Sequence, residues 1–261
     1  MVLISVSAIL ADRTIRRLTY KLDSDITGFV GDNIVNYDLT RIDSSSPMST
    51  LEIETEQWVH DCCFLITSQP VLRIRLKQDN NYPKITAYLR LRTPLSSLVM
   101  TGTGTLTTTN TIQSDSLMIE ISGTCKAQMQ VEIASKLDLI ISGTGQVTMT
   151  GNVKGNGYIR LTGIGEFDGR ACPMDTVTVD VASIGTAYVV GNEAVDVAVG
   201  GVGLVYYHGP LRNQRVNGYG SINTLTNIDG KLSRSSTITI YTPVNYFLIL
   251  FYYLGLTHFL L

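Results

Sequence analysis

The sequence is short of charge. Only 16% of its 261 residues are Asp, Glu, Lys or Arg, and 20 basic against 22 acidic residues leave a formal net charge of −2 with a pI near 5.9. A nucleic-acid-binding domain usually carries a strongly basic face, so no nucleic-acid partner is expected. Cysteine is scarce too. Cys62, Cys63, Cys125 and Cys172 include no Cys-x-x-Cys spacing, and the one metal arrangement to weigh is a His60/Asp61/Cys62/Cys63 cluster. Burial as small apolar groups is the simpler fate of these thiols, and neither a metal nor a cofactor is expected. His208 and His258 lack a catalytic partner and read as turn or surface residues. No Asn-x-Ser/Thr sequon occurs, so glycosylation gives no clue to compartment.

What is abundant is Gly, Thr, Ser and Val, a composition for strands and turns. The glycines come in register. Pairs spaced two apart stand at Gly102/Gly104, Gly143/Gly145, Gly163/Gly165, Gly201/Gly203 and Gly218/Gly220; Gly123 pairs with Cys125, and Ser183 with Gly185. First positions recur after 21, 20, 20, 20, 18 and 17 residues, the mark of a solenoid. Four residues before each first position stand Leu98, Ile119, Leu139, Ile159, Val179, Val197 and Gln214; two before stand Met100, Ile121, Ile141, Leu161, Val181, Val199 and Val216. The columns between are mixed and polar, so each unit holds a strand with one buried face. A second inward column follows the glycines: Leu106, Ala127, Val147, Phe167, Ala187, Val205 and Ile222. The pairs therefore mark corners between two strands, where glycine can take positive φ.

These features predict an all-β fold: a single-stranded right-handed parallel β-helix of about seven coils of roughly 20 residues. Handedness follows the general crossover preference. At about 4.8 Å per coil the rod would be roughly 30 Å long. The glycine pairs are not nucleotide loops, because no helix follows them. They also lack the aspartates of calcium-binding repeats.

The segment 85–104 has an alternating strand, a Pro-Leu step, then Leu-Val-Met-Thr-Gly-Thr-Gly. The later turns read Ser-Gly-Thr-Gly, Thr-Gly-Ile-Gly, Gly-Gly-Val-Gly and Asn-Gly-Tyr-Gly. This pattern resembles the head GIN domain family of autotransporter adhesins, over residues 18–229 and most strongly after 85. Cys125 and Ser183 depart from it. The resemblance implies a β-helical head at a cell surface and supplies no catalytic residues to transfer.

Five segments follow. Residues 1–17 hold an apolar run, 2–11, that fits a secretory signal cut after Ala11, although no Lys or Arg precedes it; an ordinary first strand is the alternative. Residues 18–94 read as strands that start and cap the solenoid. The repeats occupy 95–229, a polar spacer 230–243, and an uncharged apolar tail 244–261. The tail fits either a glycolipid-anchor signal, with attachment at Ser233, Ser235 or Ser236, or a retained membrane helix. A buried capping element is the third reading.

Cys125 and Cys172 fall two coils apart, about 9–10 Å, beyond disulfide reach. Neighbouring Cys62 and Cys63 would pair only with strain. Arg160 and Asp180 share a column on adjacent coils, with Asp138, Glu166, Asp168 and Asp196 nearby. Paired carboxylates could cleave a glycosidic bond, but a cross-strand ion pair explains Arg160 and Asp180 more simply. Arg73, Arg75, Lys77, Arg90 and Arg92 form two basic stripes, which would make one candidate ligand face if their strands were neighbours. Thr105, Thr107 and Thr109 form a hydroxyl ladder.

The reading is a surface-exposed or secreted adhesin-like module, without catalysis, that shows glycans or proteins a β-face bearing residues such as Tyr158, Tyr206, Tyr207 and Tyr219. A glycan-active enzyme and a passive spacer are the alternatives.

Overall fold

A computed structural model describes residues 12–22, 25–31, 34–77, 81–228 and 231–234. The two apolar terminal runs, 2–11 and 244–261, lie outside these residues, as do Ser235 and Ser236. The first third comprises β1 (Ile15–Leu22), β2 (Gly28–Gly31), β3 (Asn36–Arg41), β4 (Ser49–Glu56), α1 (Gln57–Cys62), β5 (Phe64–Ser68), β6 (Val71–Leu76) and β7 (Thr86–Leu91). The repeats form β8 (Ser97–Met100), β9 (Thr105–Thr108), β10 (Ile112–Ile121), β11 (Lys126–Ile141), β12 (Gln146–Leu161), β13 (Glu166–Ala171), β14 (Met174–Val181), β15 (Thr186–Val199), β16 (Leu204–His208), β17 (Leu211–Val216) and β18 (Ser221–Ile228). A last strand, β19, covers Lys231–Arg234.

The strands wind a β-solenoid of about six turns. Before the glycine corner, β6, β2, β8, β10, β11, β12, β14, β15 and β17 stack in parallel. After it the parallel stack is β7, β3, β9, β11, β12, β13, β15, β16 and β18. The long strands β11, β12 and β15 serve both stacks because each bends midway. Register breaks between Ser114 and Ser116, and between Val153 and Asn156, mark that second bend.

Period-two alternation places the inward columns as expected. Leu98, Ile119, Leu139, Ile159, Val179 and Val197 are all buried, as are Leu106 through Ile222 in the column beyond the corner. Each Val, Leu, Ile or Phe so buried contributes about 1.5–3 kcal/mol, and one continuous core results. The pattern fails only in the last coil, where Gln214 is exposed and Val216 half-buried. There β17 pairs with β15 on one side and, among the described residues, has no strand on the other.

The first third departs from sequence order. β2 lies between β6 and β8, and β3 between β7 and β9. Residues 28–41 thus form a coil inserted between two coils made later in the chain. Antiparallel strands close this end, β5 on β6 in one stack and β4 on β7, then β1 on β4, in the other. Helix α1 links β4 to β5 and sinks Val59 into the core. At the far end β19 turns back antiparallel on β18.

Candidate binding surfaces

The corner is built by close approach rather than by unusual dihedrals. Within the glycine ladder only Gly102 (φ 96°) and Gly123 (φ 95°) have positive φ, which corrects the conformational reason given above for the other members. A Cβ on Gly143, Gly163, Gly201 or Gly218 would overlap the carbonyl oxygen one coil below, of Gly123, Gly143, Ser183 and Gly201 respectively. A Cβ on Gly104 or Gly220 would meet the carbonyls of Val35 and Gly203. At Gly145, Gly165, Gly185 and Gly203 it would press on Ile121, Ile141, Leu161 and Val181. Cys125 fits the glycine column because its thiol reaches the Gly102 carbonyl, 3.3 Å away.

Between the two glycines of each corner one residue points outward. In the first coils these are Thr103, Thr124 and Thr144. In the next four they are Ile164, Ile184, Val202 and Tyr219, exposed by 59%, 55%, 52% and 56%. A line of large apolar side chains in water is uncommon on a monomer and marks a contact surface. The sequence shows these residues inside the turn motifs, and the corner register is what reveals them as a ridge.

The outward charges are mostly paired. Arg160 Nε lies 3.4 Å from Asp180 Oδ2 across adjacent strands, as expected. Lys136 holds Asp138 at 2.7 Å. Arg170 binds both oxygens of Asp168, at 2.9 and 2.6 Å, and lies 4.7 Å above the Tyr188 ring. That guanidinium holds the Asp168 carboxyl below its ordinary pKa. Asp196 is lowered likewise by Arg212, whose Nε is 3.0 Å away, and by Asn213. Glu166 stands on β13 beside Thr186.

The two basic stripes do not merge. Arg73, Arg75 and Lys77 follow β6, whereas Arg90 and Arg92 follow β7; these strands lie in different stacks and do not pair. Arg92 is engaged by Asp25 at 2.9 Å, and Arg90 approaches Glu52 at 3.9 Å. Two members of the threonine ladder bond to the inserted coil. Thr105 donates to Asn36 at 2.7 Å, and Thr109 bonds Asp38 and Thr40 of the inserted coil.

Residues 36–210 match the family described as putative auto-transporter adhesin, head GIN domain. The chain belongs to this family. Membership implies a place at the cell surface. Solved structures agree on the fold. A putative adhesin from Bacteroides fragilis superposes with a TM-score of 0.74 at 19% identity, covering 82% of this chain and 99% of that one. One from Parabacteroides merdae gives 0.64 at 18% identity over 81% and 96%. A Parabacteroides distasonis structure titled a putative lipid binding protein gives 0.60 at 16% over 81% and 97%. No curated protein matches the sequence.

Other features of this GIN-domain head differ from expectation. Tyr206 is only 8% exposed. It stacks on Tyr188, ring centres 5.0 Å apart, and Leu225 with Leu232 of the β18–β19 hairpin packs against the pair. The terminal hairpin thus removes Tyr206 from display, while Tyr158 and Tyr207 are half-buried and Tyr219 is exposed. His208 Nδ1 lies 3.3 Å from the Leu225 carbonyl.

The cluster around His60 does not assemble as a metal site. Cys62 and Cys63 are disulfide-linked to each other. His60 contacts the Tyr20 hydroxyl at 3.3 Å and the Arg16 carbonyl at 3.2 Å. Among the described residues no group of His, Cys, Asp and Glu could hold a metal ion. Cys125 and Cys172 are free and buried; burial pushes the Cys172 thiol up to about 12. Ser233 is exposed on β19. Among the described residues no helix is long and apolar enough to cross a membrane.

A cleft of about 340 Å³ opens at the second bend, lined in part by Arg41, Gln113, Asp115, Glu132 and Lys154. Several of its polar groups are already engaged. Gln113 donates to Glu132 at 3.1 Å, Ser135 to Asp115 at 2.7 Å, and Arg41 to the Arg92 carbonyl.

Proposed function

We propose that this GIN-domain chain is a non-catalytic adhesive module that binds extracellular proteins or glycans at the cell surface. The observation that carries it is the ridge of Ile164, Ile184, Val202 and Tyr219, four exposed apolar side chains on adjacent coils. A rigid rod with such a ridge offers a preformed contact at little entropic cost. Four of the carboxylates weighed for glycan cleavage, Asp138, Asp168, Asp180 and Asp196, are each ion-paired with a basic neighbour, which favours a structural role for them.

The test is binding of the full chain to immobilised extracellular-matrix proteins and to a glycan array. Binding to at least one surface is expected, weakened at least about tenfold, or 1.4 kcal/mol, in the Ile164→Ser/Ile184→Ser double variant. No binding anywhere would favour a passive spacer, and unchanged binding in the double variant would remove the ridge from the reading.

Membrane retention through residues 244–261 is part of the same proposal, supported by the absence of any charged residue there. Ser233, Ser235 and Ser236 are the candidate attachment points for a glycolipid. Release by phosphatidylinositol-specific phospholipase is the expected result; a chain that stays behind is held by a retained helix instead.

A further inference from the structure

We propose that the N-terminal end of the solenoid carries a binding pocket for a pyranose ring. The pocket measures about 410 Å³ and is lined by Arg13, Glu56, Trp58, Asn81, Tyr82 and Pro83. That lies within the ~300–1,000 Å³ usual for small-molecule sites.

Its construction is specific. Trp58 and Tyr82 are stacked, ring centres 5.9 Å apart and planes 14° from parallel, and both are half-buried in the pocket lining, so the pair offers an aromatic surface to the apolar C–H face of a sugar. Trp58 Nε1 donates to Glu56 Oε2 at 2.6 Å. That bond orients the indole and the carboxylate together and leaves Oε1 able to accept from a sugar hydroxyl. Asn81 adds an amide donor and acceptor, and Arg13 adds donors.

Arg13 does not hang on a loose arm. Gln57 N donates to the Thr14 carbonyl at 2.9 Å, and Trp58 N to the Asp12 carbonyl at 3.2 Å. The segment bearing Arg13 is therefore sewn to the start of α1 on both sides of that residue. The Tyr82 hydroxyl is buried without a hydrogen-bond partner among the described residues, an unsatisfied polar group on a residue of this lining.

The balance of polar groups selects a sugar. One cation, one carboxylate and one neutral amide around an aromatic wall suit a polyhydroxylated ring better than an anion or an apolar ligand. The cleft at the second bend has no aromatic residue in its lining.

The inference deepens the adhesive reading, yet uses the opposite end of the rod from the ridge, so the two can fail separately. Trp58 is the only tryptophan of the chain, which makes its fluorescence a reporter of this pocket. The full chain is titrated with the methyl glycosides of glucose, galactose and mannose, and with lactose, cellobiose and maltose, into the millimolar range where single-site sugar binding is measurable.

A saturable change in Trp58 emission with at least one probe is expected. It should weaken at least about tenfold in both Asn81→Ala, at an exposed position, and Glu56→Gln, and persist in Ile164→Ser/Ile184→Ser. Silence with every probe overturns the inference, as does a response that Asn81→Ala and Glu56→Gln leave unchanged. If adhesion still depends on the ridge while Trp58 stays silent, this inference falls and the adhesive reading stands.

Discussion

The two halves of the rod reach the same cross-section by different routes. From β10 onward each coil lies on the one about 20 residues earlier, as in the Ser135–Asp115 bond, and backbone meets backbone at the glycine ladder. The inserted coil of the first third makes long contacts instead. Thr40 and Thr109 touch across 69 residues, and the close approach at Gly31 involves side chains, because a Cβ there would press on Tyr37 and Met100. Yet Phe29 and Phe167, one from each half, are both fully buried in one core. Alternation and pairing edges define a coil; proximity in sequence does not.

Three experiments break or sharpen this comparison. The largest effect is expected from Phe29→Ala and Phe167→Ala, each costing about 3–5 kcal/mol in urea unfolding. If Phe29→Ala costs much less, the inserted coil is a loosely docked cap rather than part of the rod. Next is Gly143→Ala, which drives a methyl into the Gly123 carbonyl and should cost about 1–3 kcal/mol. Gly31→Ala should cost less, because the Tyr37 ring and the Met100 sulfur can shift. Equal losses would mean the backbone approach in the repeats is not the constraint.

The smallest effect concerns acid. Asp168 and Asp25 both have carboxyls lowered by arginine hydrogen bonds, from Arg170 and Arg92. A depressed folded pKa contributes stability above the unfolded value of about 3.9 and loses it as pH falls through the folded value. Unfolding midpoints should therefore be flat from about pH 5 to 8 and drop below about pH 4. Asp168→Asn should reduce that drop more than Asp25→Asn, since their side chains are 22% and 56% exposed. An equal response would show that solvent screens both pairs alike.

Much of the repeat half was legible in the sequence. Leu139 or Val179 could be placed in the core from period alone, and Cys125 and Cys172 could be kept apart by counting coils. The inserted coil was not legible, because β2 and β3 share no fixed period with their neighbours. Nor was the burial of Tyr206. Its column points outward, and the stacked Tyr188 together with Leu225 and Leu232 of the β18–β19 hairpin covers it. The basic stripes illustrate a third limit. Two consecutive strands with like-charged open faces look like one patch until the corner between β6 and β7 sends them to separate stacks. The pocket at Trp58 joins residues 13, 56–58 and 81–83, a set that no local motif unites.

The inserted coil also orders events in time. The partners of β2 are β6 and β8, and those of β3 are β7 and β9. A chain emerging from its N-terminus makes residues 28–41 early but offers them no neighbour until β6 appears, and no complete sandwich until β9 does. Neither face of the inserted coil can therefore be covered until strands made later in the chain are in place.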